Sequence, residues 1–233
     1  MRDLHGSTPI TSVIIPAFNE ETSIGLVLDN LPQERLKEII VVNNGSTDKT
    51  ACVAKKHGAR VVDEILRGYG AACLKGISVL DDPEIVVFID GDFSDFPEEI
   101  ESLVKPIVEN RADFVLGSRM IFPESRAALL PQARYGNLLA VFLMKLFYRC
   151  QFTDLGPFRA IRYQSLKEIS MTDKNFGWTV EMQIKVVKHG LRIMEIPVHY
   201  RKRIGVSKIT GTISGTFKAG TKIIFTIFKY LLT

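Results

Sequence analysis

Asp90 and Asp92 stand one residue apart at the end of the apolar run Glu84-Ile85-Val86-Val87-Phe88-Ile89-Asp90-Gly91-Asp92. The run is short, continuous and rich in β-branched residues, which predicts a buried strand. Residues i and i+2 of a strand point to the same side, so the two carboxylates converge just past its C-terminal end. Open α/β sheets bind their ligands at that edge. Gly91 has no side chain and lets another group approach between the two acids. Hard carboxylate oxygens with no histidine nearby suit Mg²⁺ or Mn²⁺ shared with a diphosphate. Ser94 and Asp95 are close enough in the chain to add a ligand or orient a metal-bound water. The alternative is a pair of solvated loop acids, one of them capping the helix that starts at Pro97.

Three further polar segments stand at the ends of other apolar runs. In Ile15-Pro16-Ala17-Phe18-Asn19-Glu20 the proline fixes the backbone, while Asn19 and Glu20 either bond a ligand or cap the next helix. In Val42-Asn43-Asn44-Gly45-Ser46-Thr47-Asp48 a tight turn offers backbone N–H groups ahead of a helix. An Asn side chain such as that of Asn44 both donates and accepts, as reading a nucleobase edge requires. Ser46 or Asp48 serving as an ordinary N-cap is the alternative. In Arg67-Gly68-Tyr69-Gly70-Ala71-Ala72 two glycines permit close approach of a phosphate or ribose. The segment lacks the GxxxxGK[ST] spacing of a Walker loop.

These segments need a scaffold that brings strand ends together. The first 120 residues alternate strand and helix signals. Strands are predicted over 12–15, 38–42, 60–62, 113–116 and up to Asp90, with helices over 20–30, 48–57, 70–80 and 97–109. That order predicts an α/β domain with a mainly parallel central sheet covered on both faces. Two later segments differ. Residues 135–149 are apolar along one side but carry Lys145 and Arg149, with Arg134 just before them, and residues 212–233 have the same character with Lys218, Lys222 and Lys229. Each reads either as a core helix or as an amphipathic helix at a membrane interface, its basic groups reaching for headgroups.

Composition narrows the classes. Of 233 residues 46% are hydrophobic, enough for a substantial core. Cys52, Cys73 and Cys150 are scattered and odd in number, which argues against a disulfide framework and for a reducing compartment. The polar residues 1–9 do not read as a signal peptide, and no apolar run reaches the length of a membrane span. The four histidines show no triad or metal spacing, and Trp178 either stacks on a sugar or packs in the core. Charge is lopsided. Residues 1–133 carry a net −8 and residues 134–233 a net +12, which suggests a polyanionic partner for the second half. The acidic first half and the lack of an aromatic–basic repeat argue against nucleic acid.

The four strand-end segments, in this order, resemble family 2 glycosyltransferases of the GT-A (Rossmann-like) fold. Gly117-Ser118-Arg119, Thr153-Asp154-Leu155-Gly156-Pro157-Phe158-Arg159, Trp178-Thr179-Val180-Glu181 and Arg203-Ile204-Gly205-Val206-Ser207-Lys208 are similar to the dolichyl-phosphate mannose synthase and polyprenyl-phosphate glycosyltransferase branch. The resemblance covers about residues 10–211. It implies one glycosyltransferase domain over 1–211, with a nucleotide-sugar half at about 10–120 and an acceptor half at about 121–211, followed by an amphipathic tail over 212–233. It further implies that Asp92, with Asp90, holds Mg²⁺ or Mn²⁺ on the donor diphosphate. Pro16, Ala17, Asn19, Glu20, Asn44, Ser46, Asp48, Gly70 and Gly91 would build the nucleotide-sugar pocket. Arg119, Arg134, Arg203, Ser207 and Lys208 would meet donor or acceptor phosphates, and Asp154 and Glu181 would face sugar and acceptor. Asn43-Asn44 stands where the family often has two acids, Phe18 where it commonly has Tyr, and Gly156-Pro157 where it usually has Ser-Gly.

The expected activity is metal-dependent, inverting transfer of a sugar from a UDP- or GDP-linked donor. The preferred acceptor is a polyprenyl phosphate at the cytoplasmic face of a membrane. A phosphate monoester has a second pKa of about 6 and attacks without a strong base, whereas a hydroxyl acceptor needs one, for which Asp154 is the candidate. Arg201, Lys202, Arg203 and Lys208 around Gly205 read as a mobile phosphate clamp or as a solvated basic hairpin. A transferase with a soluble hydroxyl acceptor and a nucleotidyltransferase are the rival readings.

Overall fold

The computed structural model describes residues 9–205 and 213–231. Its frame is a seven-stranded sheet built from β1 (Thr11–Ala17), β2 (Glu38–Asn43), β3 (Arg60–Asp63), β4 (Ile85–Phe88), β5 (Phe114–Ser118), β6 (Arg159–Arg162) and β7 (Ile193–Pro197). Their order across the sheet is β3-β2-β1-β4-β6-β5-β7. The pairings β3/β2, β2/β1, β1/β4 and β5/β7 are parallel. β6 enters antiparallel between β4 and β5. The sheet is therefore mixed but mainly parallel, as the alternating strand and helix signals predict, with β6 and β7 lying beyond those signals.

Alternation along the central strands builds two cores, one on each face. Val13, Ile15, Ile39, Val41, Ile85 and Val87 face a cluster completed by α1 (Ile24–Asp29), α2 (Thr50–Lys56) and α4 (Ile100–Val108). Ile14, Ile40, Val42, Val86 and Phe88 face the other. That second cluster takes in α3 (Tyr69–Ser78), α6 (Pro131–Tyr148), α8 (Trp178–Lys188) and α9 (Ile213–Lys229). Short α5 (Pro123–Ala128) and α7 (Tyr163–Ile169) complete the helices among the described residues. Both faces of β1, β4 and β5 are covered, which is why those strands read as unbroken apolar runs.

Helix α1 is shorter than the predicted 20–30. Glu20 to Ser23 form a turn instead, with the Glu20 carbonyl accepting the Ser23 and Ile24 amides and the Ser23 hydroxyl donating to Glu20 Oε2 at 3.0 Å.

The two amphipathic segments pack together but bury little of themselves. Only Asn137, Ala140 and Met144 of α6 are buried. Tyr135, Leu138, Leu139, Phe142 and Leu146 face outward, as do Phe217, Phe225 and Phe228 of α9. Helix α9 is seated by Thr226 and Ile227, both fully buried, by a 5.3 Å edge contact of Phe147 with Phe228, and by the Tyr148 hydroxyl donating to the Ile227 carbonyl at 2.5 Å. Each helix thus has a narrow core stripe and a broad exposed apolar side. No helix among the described residues is long and apolar enough to cross a membrane.

Candidate active site

The C-terminal ends of β1, β2 and β4 open into a cleft of about 380 Å³. Pro16, Ala17, Phe18 and Glu20 line it from the first strand end, Asn44 from the second, and Asp90, Gly91 and Asp92 from the fourth. Arg67, Gly68, Tyr69 and Ala72 form a further wall, Asn175 and Phe176 another, and Arg203 reaches in from a loop late in the chain.

The two carboxylates do converge here, and their environments differ. Asp90 accepts the Tyr69 hydroxyl at 3.0 Å. Burial, and after it the neighbouring Asp92 charge, raise the Asp90 carboxyl to about 7. Asp92 Oδ1 accepts the Ser94 amide at 2.9 Å and the Ser94 hydroxyl at 2.5 Å. Its Oδ2 meets Arg203 Nη1 at 3.1 Å, while Nη2 of the same guanidinium meets Glu20 Oε1 at 2.5 Å. Arg203 therefore ties the first strand end to the fourth across the cleft. The Asp92 carbonyl also accepts the Ile204 amide at 3.1 Å, which draws the 201–205 loop onto the site.

These residues fit a divalent cation. Two carboxylates share a partly buried space, and burial and the Asp92 charge disfavour the ionised form of Asp90, so added positive charge is electrostatically favoured there. Among the described residues no His, Cys, Asp or Glu joins them to make a group of three. A metal would take these two carboxylates and draw its remaining oxygens from water and a bound diphosphate, the pattern of Mg²⁺ and Mn²⁺ sites. Asp95 lies beneath, with both carboxyl oxygens buried and without a hydrogen-bond partner among the described residues. Burial, then the Asp90 charge, pushes its pKa well up, which disfavours a third charge beside the pair.

Several residues expected in the pocket serve instead to build it. Asn19, in the left-handed region at φ 54°, donates its amide to Ser46 Oγ at 3.0 Å and accepts the Thr47 amide at 2.8 Å, which locks the first turn to the second. Asp48 accepts the Thr50 and Glu21 amides, so it holds the start of α2. Asn44 lines the cleft, but its amide is fully engaged. Its Nδ2 donates to the Glu64 and Leu66 carbonyls and its Oδ1 accepts the Gly68 amide. It shapes the wall and does not present a free edge to a base. Gly70 does not line the cleft. A side chain there would strike the Asp173 carbonyl, so its bareness serves the approach of the 173–175 loop.

The acceptor half needs larger corrections. Asp154 is fully buried and bound bidentately by Arg119, Nε to Oδ2 at 2.7 Å and Nη2 to Oδ1 at 2.8 Å. Burial alone would raise this carboxyl, but the Arg119 charge and hydrogen bonds outweigh it and hold the pKa below the usual range. Asp154 is thus a poor base and Arg119 a committed cation. Glu181 does not line the cleft; it is fully buried, paired with Lys185 Nζ at 2.9 Å and accepting from the Thr172 and Asp173 amides and the Tyr230 hydroxyl. Trp178 is a core residue in edge contact with Phe88 at 5.8 Å, which removes it as a sugar platform. Arg134 is exposed on the first turn of α6 and does not line the cleft. Arg201 is held between Phe93 and Phe96, 3.7 and 3.9 Å from the ring centres, with Nε on the Phe93 carbonyl. Among the described residues of the basic cluster, Arg203 lines the cleft and Arg201 and Lys202 do not. Ser207 and Lys208 lie outside the described residues.

Arg67, Tyr69, Asn175 and Phe176 are among the lining residues that were not assigned to the pocket from the sequence. Arg67 lies 3.6 Å over the Phe18 ring and donates to the Asn44 carbonyl, making a flat wall. Arg67 and Tyr69 belong to the glycine segment already noted, so their context pointed here. Asn175 and Phe176 come from a part of the chain with no recognisable strand-end pattern.

The mixed α/β sheet thus carries its paired carboxylates at the strand ends where open α/β sheets bind ligands. Residues 12–170 match the model of glycosyl transferase family 2, and the chain belongs to that family. It is 36% identical over 210 residues to an uncharacterized protein of Methanocaldococcus jannaschii, covering 85% of this chain and 86% of that one. It is 32% identical over 205 residues to the dolichyl-phosphate hexose transferase of Haloferax volcanii, covering 85% and 86%. The fold matches glucosyl-3-phosphoglycerate synthase of Mycobacterium tuberculosis, solved with Mn²⁺, UDP-glucose and phosphoglyceric acid. The TM-score is 0.77 at 23% identity, over 96% of this chain and 80% of that one. The chain is a glycosyltransferase of the GT-A fold.

Proposed function

We propose that the protein transfers a sugar from a nucleoside-diphosphate sugar to a polyprenyl phosphate, with inversion, at the cytoplasmic face of a membrane. The observation that carries this reading is the Asp90/Asp92 pair on the cleft floor with Arg203 across it. Asp90 and Asp92 hold Mg²⁺ or Mn²⁺, which when bound neutralises charge developing on the departing diphosphate. Pro16, Ala17, Glu20 and the Phe18/Arg67 wall seat the UDP or GDP moiety. Arg203 leaves Asp92 for the diphosphate as the donor enters, which keeps a positive charge on the oxygens that accumulate negative charge. The lipid phosphate oxygen forms the new bond to the anomeric carbon as the bond to the diphosphate breaks, without a covalent intermediate. No strong base is needed, which agrees with an Asp154 that is already paired.

The acceptor assignment draws on the exposed apolar sides of α6 and α9. Residues 131–149 and 213–231 contain no Asp or Glu, while Arg134, Lys145, Arg149, Lys218 and Lys229 are exposed beside their outward aromatic and aliphatic residues. That combination suits an anionic lipid surface. The name of the Haloferax volcanii relative agrees. The fold neighbour solved with phosphoglyceric acid supports the rival reading, a soluble phosphorylated acceptor. The test is nucleoside diphosphate release from a panel of UDP- and GDP-sugars with Mn²⁺ or Mg²⁺, with and without a short polyprenyl phosphate. Release that requires the lipid phosphate is expected. Release that ignores it, or that rises with a soluble acceptor, contradicts the acceptor assignment.

A further inference from the structure

Asn175 and Phe176 wall the cleft from the loop that joins α7 to α8, and that loop is gripped from behind by α9. Asp173 organises it. Its Oδ1 accepts the amides of Asn175 at 2.7 Å and Gly177 at 3.2 Å, and its Oδ2 is paired with Lys222 Nζ of α9 at 2.8 Å. The start of the loop hangs on Glu181, which accepts the Thr172 amide at 3.0 Å and the Asp173 amide at 2.7 Å. Glu181 is in turn held by the Tyr230 hydroxyl, just past α9, at 2.6 Å. Helix and loop meet without slack. A Cβ built on Gly177 would lie 2.5 Å from Thr226 Oγ1. On its far side the loop presses on the glycine turn. The Lys174 carbonyl accepts the Ala71 amide at 2.9 Å, and side chains at Gly68 and Gly70 would strike the Lys174 and Asp173 carbonyls.

We infer that Lys222 and Tyr230 are positioning residues for the donor cleft: through Asp173 and Glu181 they set the Asn175–Phe176 wall, and so the affinity for the nucleoside diphosphate. This rests on the cleft being the nucleotide site. It gives α9 two duties on two sides. The outer side carries exposed Phe217, Phe225 and Phe228, and the inner side holds the cleft wall. A surface that seats the outer side of α9 therefore acts on donor binding through the same contacts.

The test is calorimetric binding of UDP and of GDP, each with Mn²⁺, to full-length wild type, Lys222→Met, Lys222→Arg and Tyr230→Phe, with melting temperatures and donor KM and kcat measured alongside. Lys222→Met is expected to weaken binding of the preferred nucleotide roughly three- to tenfold, the scale of one partly buried ion pair. The donor KM should rise in step while kcat changes little, and Lys222→Arg should recover most of the loss. Tyr230→Phe, a smaller change that keeps the ring packed, is expected to weaken binding about twofold. Binding by Lys222→Met and Tyr230→Phe as tight as wild type overturns the inference, as does a loss in Lys222→Met that arginine fails to restore. A wild type that binds neither nucleotide overturns the nucleotide reading of the cleft and takes this inference with it.

Discussion

Two arginine–aspartate pairs stand near the C-terminal edge of the sheet, and they are built differently. Arg119 binds Asp154 through two parallel contacts, with side chains 14% and 0% exposed. Arg203 touches Asp92 once, at 3.1 Å, divides its guanidinium with Glu20, and leaves both partners at the cleft, 23% and 10% exposed. A bidentate, buried pair has satisfied its charge locally and fixes the chain path. A divided pair on an accessible cleft can exchange partners with a ligand. The same residue types therefore build the frame at one strand end and the chemistry at another, and the difference lies in how completely each carboxylate is already paired.

Removing each acid should separate the two roles. Asp92→Ala is expected to lower turnover by roughly 10³- to 10⁴-fold, the cost of losing a metal-bearing carboxylate. Its melting temperature should stay close to wild type. Asp154→Ala should do the reverse, costing about 3 kcal/mol of stability because Arg119 is left buried without its partner. Urea unfolding measures that loss, and activity per folded molecule should survive better than in Asp92→Ala. Comparable damage of the same kind from both substitutions would break the distinction. The arginines sharpen it. Arg203→Met should reduce kcat/KM for the donor by about ten- to a hundredfold with little effect on urea unfolding, whereas Arg119→Met should be read chiefly in the unfolding curve.

The smallest of these effects is the pH dependence of stability. Asp90 is raised to about 7 by burial and then by Asp92, while an unfolded aspartate ionises at about 3.9. Between those values the metal-free folded state holds more protons than the unfolded state, so stability falls as pH rises through the window. Asp154 has a lowered pKa, so its contribution is present above the unfolded value and is lost only as pH falls below the usual carboxylate range. Thermal melts from pH 4 to 7 should therefore lose part of their downward slope in Asp90→Asn.

The legible part of the molecule is the part whose information is local. Most of the first strands are apolar runs ending in a polar turn, so the succession of strands and helices along the chain, the convergence of Asp90 with Asp92 and the place of Pro16, Ala17 and Glu20 at the cleft follow from neighbours in the chain. The antiparallel entry of β6 between β4 and β5 has no such marker, because Arg159–Arg162 is only four residues long and includes two arginines. The roles of Asp154 and Glu181 were misplaced for a related reason. A carboxylate in a family-like motif looks the same whether its partner is a ligand, an arginine 35 residues away or a tyrosine 49 residues away. Gly70 carried the right signal, close approach, but the approaching group is the 173–175 loop.

The central claim is that Asp90 and Asp92 hold the divalent cation together with the donor diphosphate. It is tested most directly by titrating Mn²⁺, followed by its paramagnetic resonance, into wild type and Asp92→Asn with UDP or GDP present. Wild type should bind one Mn²⁺ whose affinity rises when the preferred nucleotide is added, and Asp92→Asn should lose both the binding and the nucleotide effect. Equal Mn²⁺ binding and an equal nucleotide effect in the two proteins would contradict the account.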